Sequence, residues 1–311
     1  MRFFNHSSFK AMNTDIFIEV VWDEGGVVFS DEDFAPLQEL FIQVEHTLSR
    51  FLPESELSLC NAAESFVLSE LAFDYIAKSL LFAEKTDGIY DPTVRVDVLG
   101  YDRSWEKVAG LSTVYSASSA KRAHWEAISL SYLDRSIKKP LDLHLDLGGM
   151  GKGYTVDGVA ALLRQRGYES FYIDAGGDIF AAGLDEEAQD WEVTVQKADD
   201  PDLILPDCLL ISGKSVATSS RMKRKWKVEG GGEQHHIVDP RSGQSATSEF
   251  LAVTCVAASC VEADVYAKVL LVLGKDQGVA FAQEKGIAFL GIESDGTVFR
   301  SALLQEYQRI A

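Results

Sequence analysis

Two glycine pairs, each flanked by an acid, stand close together in the chain: Asp146-Leu147-Gly148-Gly149 and Ala175-Gly176-Gly177-Asp178. A glycine pair leaves no side chain between the backbone and an approaching ligand, so main-chain N–H and C=O groups can touch it directly. The stretch between the pairs predicts an amphipathic helix that starts near Lys152, buries Val156, Val159 and Leu163, and stops at Gly167. The positive end of its dipole favours an anion. Together these features point to contact with a phosphate-bearing ligand.

The elements that must hold this segment read as a mixture without a regular βαβ rhythm. Residues 15–22 (DIFIEVVW) are strand-like, and a helix with Leu37, Phe41, Val44 and Leu48 on its apolar stripe follows, capped by Asp33 with Pro36 in the first turn. A second helix runs from a Ser69 cap to a stop at Gly88. Strands are expected at 170–175, 191–195, 208–211 and 251–257. Ser259 then caps a helix through Leu273 that Gly274 closes, and two short strands finish the core near 287–292 and 297–300. The expected class is α+β, with antiparallel-rich sheets and packed helices in a single domain over residues 1–311. The glycine segment does not fit GxGxxG, which argues against a doubly wound dinucleotide fold.

Bulk properties set the frame. With 311 residues, 46% of them hydrophobic and 25% charged, the chain has ample material for a globular core. No apolar run approaches the roughly 20 residues of a membrane span. The N-terminal MRFFNHSSFKAMNT lacks the apolar core of a signal peptide, so a cytoplasmic location is expected, or an exported form whose signal has been trimmed. A net charge of −19 argues against nucleic acid. The local exception is Arg221, Lys223, Arg224, Lys225 and Lys227, which read either as a solvated hairpin or as a basic rim near a polyphosphate. Cys60, Cys208, Cys255 and Cys260 show no CxxC or zinc spacing. Cys208 and Cys255, in apolar surroundings, are expected to be buried free thiols.

Six islands stand out, in this order: Met12-Asn13-Thr14, residues 49–61 (SRFLPESELSLCN), 88–94 (GIYDPTV), the glycine segment, 235–243 (HHIVDPRSG) and 262–268 (EADVYAK). In this order they resemble the ApbE family, the FAD:protein FMN transferases. The strongest matches are DPTV at 91–94, DLGG at 146–149 with KGY at 152–154, AGGD at 175–178 and HIVDPRSG at 236–243. The resemblance implies an enzyme that cleaves the pyrophosphate of FAD and joins FMN through a phosphoester to a Thr or Ser of an acceptor protein. Two other readings are an FAD-binding protein without transfer activity and an FAD pyrophosphatase. Carried over by motif, the FAD-contacting positions would be Met12, Phe51, Tyr90, Asp91, Asp146, Lys152, and His236 or Ile237. A magnesium ion would be held by the Gly149 carbonyl, by Asp264 and by residue 268.

The residue types suit that chemistry. Lys152 can hold a phosphate, and His236 can take the proton of an incoming hydroxyl near neutral pH. Phe51 and Tyr90 can flank a flavin or adenine ring. Taken singly, each has a plainer reading: Asp264 a solvated acid, Phe51 and Tyr90 core aromatics, Lys152 a surface lysine, His236 a hydrogen-bonded strand-end histidine, and Asp239 a turn residue. Asp264 and Lys268 lie four apart on one helical face. Lys268 departs from the family, which has Thr or Ser there, and an ammonium cannot ligate a cation. It can pair with Asp264 as an ordinary ion pair, stand in for the metal, or leave magnesium to Asp264, Gly149, water and phosphate. Milder departures are Asn13 and Ser220, where the family has glycine.

Overall fold

Strand Thr14–Asp23 is apolar on both sides, and the structure uses both. Ile16, Ile18 and Val20 join one core with Phe41, Val156, Leu163 and Phe171, while Val21 joins a second with Trp191, Leu209 and Leu290. The computed structural model describes residues 1–99, 124–198, 204–228 and 232–308. The chain divides into two units. One comprises Met1–Ile42, Gly151–Ser220 and Glu249–Ala311, the other Gln43–Met150 and Arg221–Ser248.

The first unit is built on an eight-stranded sheet. Its order is Arg2–Ala11, Thr14–Asp23, Ser170–Ala175, Asp178–Ala182, Lys214–Ser220, Phe250–Ala257, Ala288–Glu293 and Val298–Arg300. Every neighbouring pair is antiparallel. Helix Gly151–Gln165 buries Val156, Val159 and Leu163, as expected, and a two-stranded ribbon, Trp191–Gln196 with Ile204–Ile211, contributes to the second core. Helices beside an antiparallel sheet make the class α+β.

Three strands of the sheet escaped the sequence reading for identifiable reasons. Arg2–Ala11 is a polar edge strand with little apolar alternation. Lys214–Ser220 (KSVATSS) is central yet polar: Ser215 and Ser219 are buried, the Ser215 hydroxyl with no hydrogen-bond partner among the described residues, and the exposed Thr218 hydrogen-bonds Thr254 across the pair at 2.8 Å. Asp178–Ala182 is buried at all five positions but directly follows a turn. That turn, Gly176-Gly177, has φ of 64° and 92°, which only glycine adopts freely.

Caps explain most helix boundaries. Ser30, not Asp33, opens the first helical turn; Asp33 instead accepts from the Ser30 N–H at 2.8 Å and from its hydroxyl at 2.9 Å, and Ala35–Leu48 follows. Ser259 accepts from the Glu262 N–H, as expected, at 3.3 Å. Gly274 does break the helix that starts at Cys260, with φ 74° and ψ −171°, but helical structure resumes and runs to Lys285, where left-handed Gly286 ends it.

The second unit holds helices Glu56–Asn61 and Glu70–Lys85, capped by Ser55 and Ser69, and a small sheet of Ser65–Val67, Ser136–Lys138 and Ser129–Ser131. Of the basic run, Lys225 and Lys227 lie on a hairpin, Lys225–Val228 with Gly232–His235, where Lys225 meets Glu233 at 3.2 Å, while Arg221, Lys223 and Arg224 sit in the bend that precedes it. Trp226 of that hairpin packs with Leu99 and Val238. Cys60, Cys255 and Cys260 are buried, whereas Cys208 is only half-buried, a correction to its expected burial.

Helix Gly151–Gln165 meets the start of helix Cys260–Lys285 at Gly153, where an added Cβ would lie 2.8 Å from the Cys260 carbonyl oxygen. That neighbour is backbone and cannot turn aside. Gly153→Ala is therefore expected to lower unfolding stability by about 1–3 kcal/mol in urea melts. Gly177→Ala, which meets nothing within 4 Å, should lose stability through its φ of 92° alone.

Candidate functional site

In the first unit four charged side chains from three elements converge. Lys152, in the first turn of helix Gly151–Gln165, places Nζ 2.7 Å from Asp178 Oδ2 and donates to the Ala175 carbonyl at 3.2 Å. Asp178 begins its strand just after the Gly176-Gly177 turn. Asp264 and Lys268 stand one turn apart on helix Cys260–Lys285, as their spacing required, and the Lys268 ammonium donates to the Asp264 carboxylate and, at 3.3 Å, to its main-chain oxygen. Asp178 and Asp264 are 1% and 4% exposed. Burial, and then the Asp178 carboxylate, push Asp264 above the usual carboxylate range, while the Lys268 and Lys152 ammoniums pull it back. Two buried acids are thus balanced by two ammoniums.

Asp157, which sequence reasoning missed, fixes the start of the second helix by accepting from the Cys260 and Val261 N–H groups at 2.7 and 3.0 Å. Its signal was its place in the helical pattern, one residue from buried Val156. Met12 sits at the tip of the first hairpin with φ 53°, next to Asn13 at 57°. Methionine adopts that left-handed region at a cost of order 1 kcal/mol. It is held there by packing against the first core and by the Thr155 hydroxyl, 3.7 Å from its sulfur.

In the second unit the DLGG loop is pinned residue by residue. The Asn61 side chain brackets Leu145, accepting from its N–H at 2.8 Å and donating to its carbonyl at 2.9 Å. The Asp146 N–H donates to the Pro92 carbonyl at 2.7 Å, and Tyr75 donates its hydroxyl to the Leu147 carbonyl. Asp146 itself accepts from Gly148 N–H at 3.0 Å and pairs with Arg50 Nε at 3.0 Å. The Arg50 guanidinium stacks 4.2 Å above the Phe51 ring. Gly149 needs its missing side chain: a Cβ there would lie 3.0 Å from the Tyr90 ring. Arg50, Asn61 and Tyr75 were not singled out in the sequence; Arg50 and Asn61 lie at the two ends of one quoted island, and nothing marked Tyr75.

Tyr90 is buried, with its hydroxyl on Ser79 at 2.9 Å, and so supports the glycine loop from below. Asp91 is also buried, which raises its carboxyl above the ordinary range. Its Oδ1 accepts from the Thr93 N–H and hydroxyl at 2.7 Å each, so it clamps the DPTV turn.

The HHIVDPRSG loop is organised by His235. Its Nε2 lies 3.0 Å from the Ala246 carbonyl and its Nδ1 3.3 Å from the Ile237 N–H, a pairing that a neutral ring with its proton on Nε2 satisfies at both ends. His236 is half-buried beside it and Ile237 is buried. Asp239 accepts from the Arg241 and Gly243 N–H groups at 2.9 and 2.8 Å, closing the turn its Asp-Pro pair suggested.

The magnesium implied at Asp264 does not fit the groups around it. A hard divalent cation asks for oxygen ligands, and one of the two oxygens that Asp264 offers already carries an ammonium. Among the described residues no group of three His, Cys, Asp or Glu side chains is arranged to hold a metal.

Burial first of all lowers His235 from 6.5 to about 4. The unfolded chain binds that proton below about pH 6.5 while the folded one refuses it until about pH 4, so this residue's contribution to stability is lost as pH falls through that window. Urea midpoints of the wild type should drop there more steeply than those of His235→Gln; parallel curves would refute the assignment.

No helix among the described residues is long and apolar enough to cross a membrane. A profile described as the ApbE family matches residues 12–290. The FAD:protein FMN transferase of Escherichia coli K12 is 27% identical over 272 residues, covering 85% of this chain and 77% of that protein. The protein of that name from Vibrio cholerae is 25% identical over 291 residues, covering 92% and 86%. Among solved structures, the flavin transferase ApbE from Vibrio cholerae covers 99% of this chain and 100% of its own at 23% identity and a TM-score of 0.84. The ApbE protein from Thermotoga maritima gives the same coverage, identity and TM-score. By the match over residues 12–290, the chain belongs to the ApbE family.

Proposed function

We propose that this protein is an FAD:protein FMN transferase that moves FMN from FAD to a Thr or Ser hydroxyl of an acceptor protein. The observation that carries this reading is the family match over residues 12–290, a span that takes in every position assigned to FAD. Relatives named for this activity match along most of their own length, which supports it further.

The chemistry follows from the bond that must break. The acceptor oxygen attacks the phosphorus on the FMN side of the diphosphate. A new O–P bond forms, the bond to the bridging oxygen breaks, and AMP leaves with that electron pair. Charge builds on the phosphoryl and leaving oxygens, and fixed cations stabilise it. In the first unit Lys152 is the cation assigned to a phosphate; its tie to Asp178 and to the Ala175 carbonyl fixes where its charge stands. In the second unit His236 is assigned the hydroxyl proton, and His235, next to it in the chain, ties the loop to the Ala246 carbonyl and the Ile237 N–H. Asp146, fixed by Arg50, and Phe51 are the side chains assigned to FAD alongside the backbone of the DLGG loop.

The test is to incubate the pure protein with FAD and a candidate acceptor carrying an exposed Thr or Ser, then read acceptor mass and free nucleotides. FMN covalently on the acceptor with AMP released is the expected result. Free FMN with AMP and an unmodified acceptor would replace the reading by hydrolysis, and intact bound FAD would replace it by storage. Lys152→Gln should slow transfer by about 10²-fold or more while circular dichroism still reports a folded chain, and it should also lower the melting temperature, because the buried Asp178 carboxylate loses its cation.

A further inference from the structure

The four-charge cluster of the first unit is already electrically complete. Asp178 pairs with Lys152 at 2.7 Å, and Asp264 pairs with Lys268 on the same helix. The side chains of Asp178 and Asp264 are 2% and 6% exposed, so these carboxylates are not solvated acids with loosely held counter-ions. Lys268 is committed twice, to the Asp264 carboxylate and to its main-chain oxygen at 3.3 Å, which fixes the ammonium against the helix instead of leaving it in solvent. Its own side chain is only 20% exposed.

A dication brought to Asp264 would have to displace that ammonium from Oδ1 or crowd beside it at the other oxygen. It would also leave the ammonium and the new ion competing for one buried carboxylate, with Lys152 as a further positive charge acting on it. Like charges forced together in a weakly solvated place are costly. The ammonium has donors only, so it cannot join the ion's ligands.

We propose that Lys268 itself fills the cation place beside Asp264, so that this protein holds the diphosphate of FAD without a divalent ion there. This deepens the transferase reading and rests on it for the identity of the ligand. The built-in ammonium supplies a fixed positive charge and neutralises Asp264, which would otherwise repel an anionic ligand. It does so with no dependence on ion concentration.

Mn²⁺ uptake followed by electron paramagnetic resonance tests this on the whole chain, with FAD binding followed separately by flavin fluorescence. The wild type should take up no stoichiometric Mn²⁺ below about 1 mM. Lys268→Thr, shown to be folded by circular dichroism, should gain one site at least about tenfold tighter, and adding Asp264→Asn should abolish it. FAD affinity of the wild type should change by less than about twofold on adding chelator. A wild-type Mn²⁺ site that Asp264→Asn removes would overturn the proposal. So would a folded Lys268→Thr chain that takes up no Mn²⁺, or wild-type FAD binding that collapses with chelator. If no variant binds FAD under any condition, the flavin reading falls, while the Mn²⁺ titrations still decide what occupies Asp264.

Discussion

Two carboxylates buried in one place, Asp178 and Asp264, are the constraint on which the first unit is arranged. A buried charge without a partner is far costlier than one that is paired, so each acid obliges a cation to arrive. Lys152 and Lys268 answer that demand from two different helices. To bring Lys152 to Asp178, helix Gly151–Gln165 must begin where it does. To let that helix lie against the start of the next, Gly153 must lack a side chain. Asp157 then ties the two helices by capping the second from the first. Sheet, turn and helix starts are therefore coupled through a few charges, and losing one partner would leave its opposite buried alone.

The second unit follows the same logic with less burial of charge. Its acid at the glycine loop, Asp146, is answered by Arg50. Asn61, Tyr75 and Asp91 spend their polar groups on the backbone around it. What the loop keeps open is main chain, as a glycine pair would suggest. A side chain that looks like a ligand in sequence can thus be a support in structure. Asp91 and Tyr90 fix the backbone's shape, while Phe51 lies half-buried under a guanidinium.

Much of this was legible from residue order because it rests on local rules. Helical spacing placed Asp264 and Lys268 on one face, serine caps marked Ser69 and Ser259, and glycine marked the stop at Gly167, whereas the helix that Ser69 caps ends at Lys85 with Thr86 as its cap, short of Gly88. What could not be read depends on distant partners. Lys214–Ser220 is a strand because it pairs on both sides within the sheet, with Asp178–Ala182 and Phe250–Ala257, which no pattern within those residues announces. Arg50 meets Asp146 from 96 positions away in sequence, and Asp157 finds its two N–H groups across a gap of more than 100 residues. Gly274 shows a third limit: it breaks the helix as glycine should, but whether the chain then turns away or resumes depends on what the following residues pack against.

The central claim is that Lys268 and Asp264 form a strongly coupled, buried pair and not a decorative surface contact. A double-mutant cycle on unfolding free energy, with Lys268→Met, Asp264→Asn and the combination, measures that coupling directly. The account expects a coupling of about 2 kcal/mol or more, the range of a pair whose broken half leaves a buried charge. A value within about 0.5 kcal/mol of zero, typical of exposed i,i+4 pairs, would contradict it.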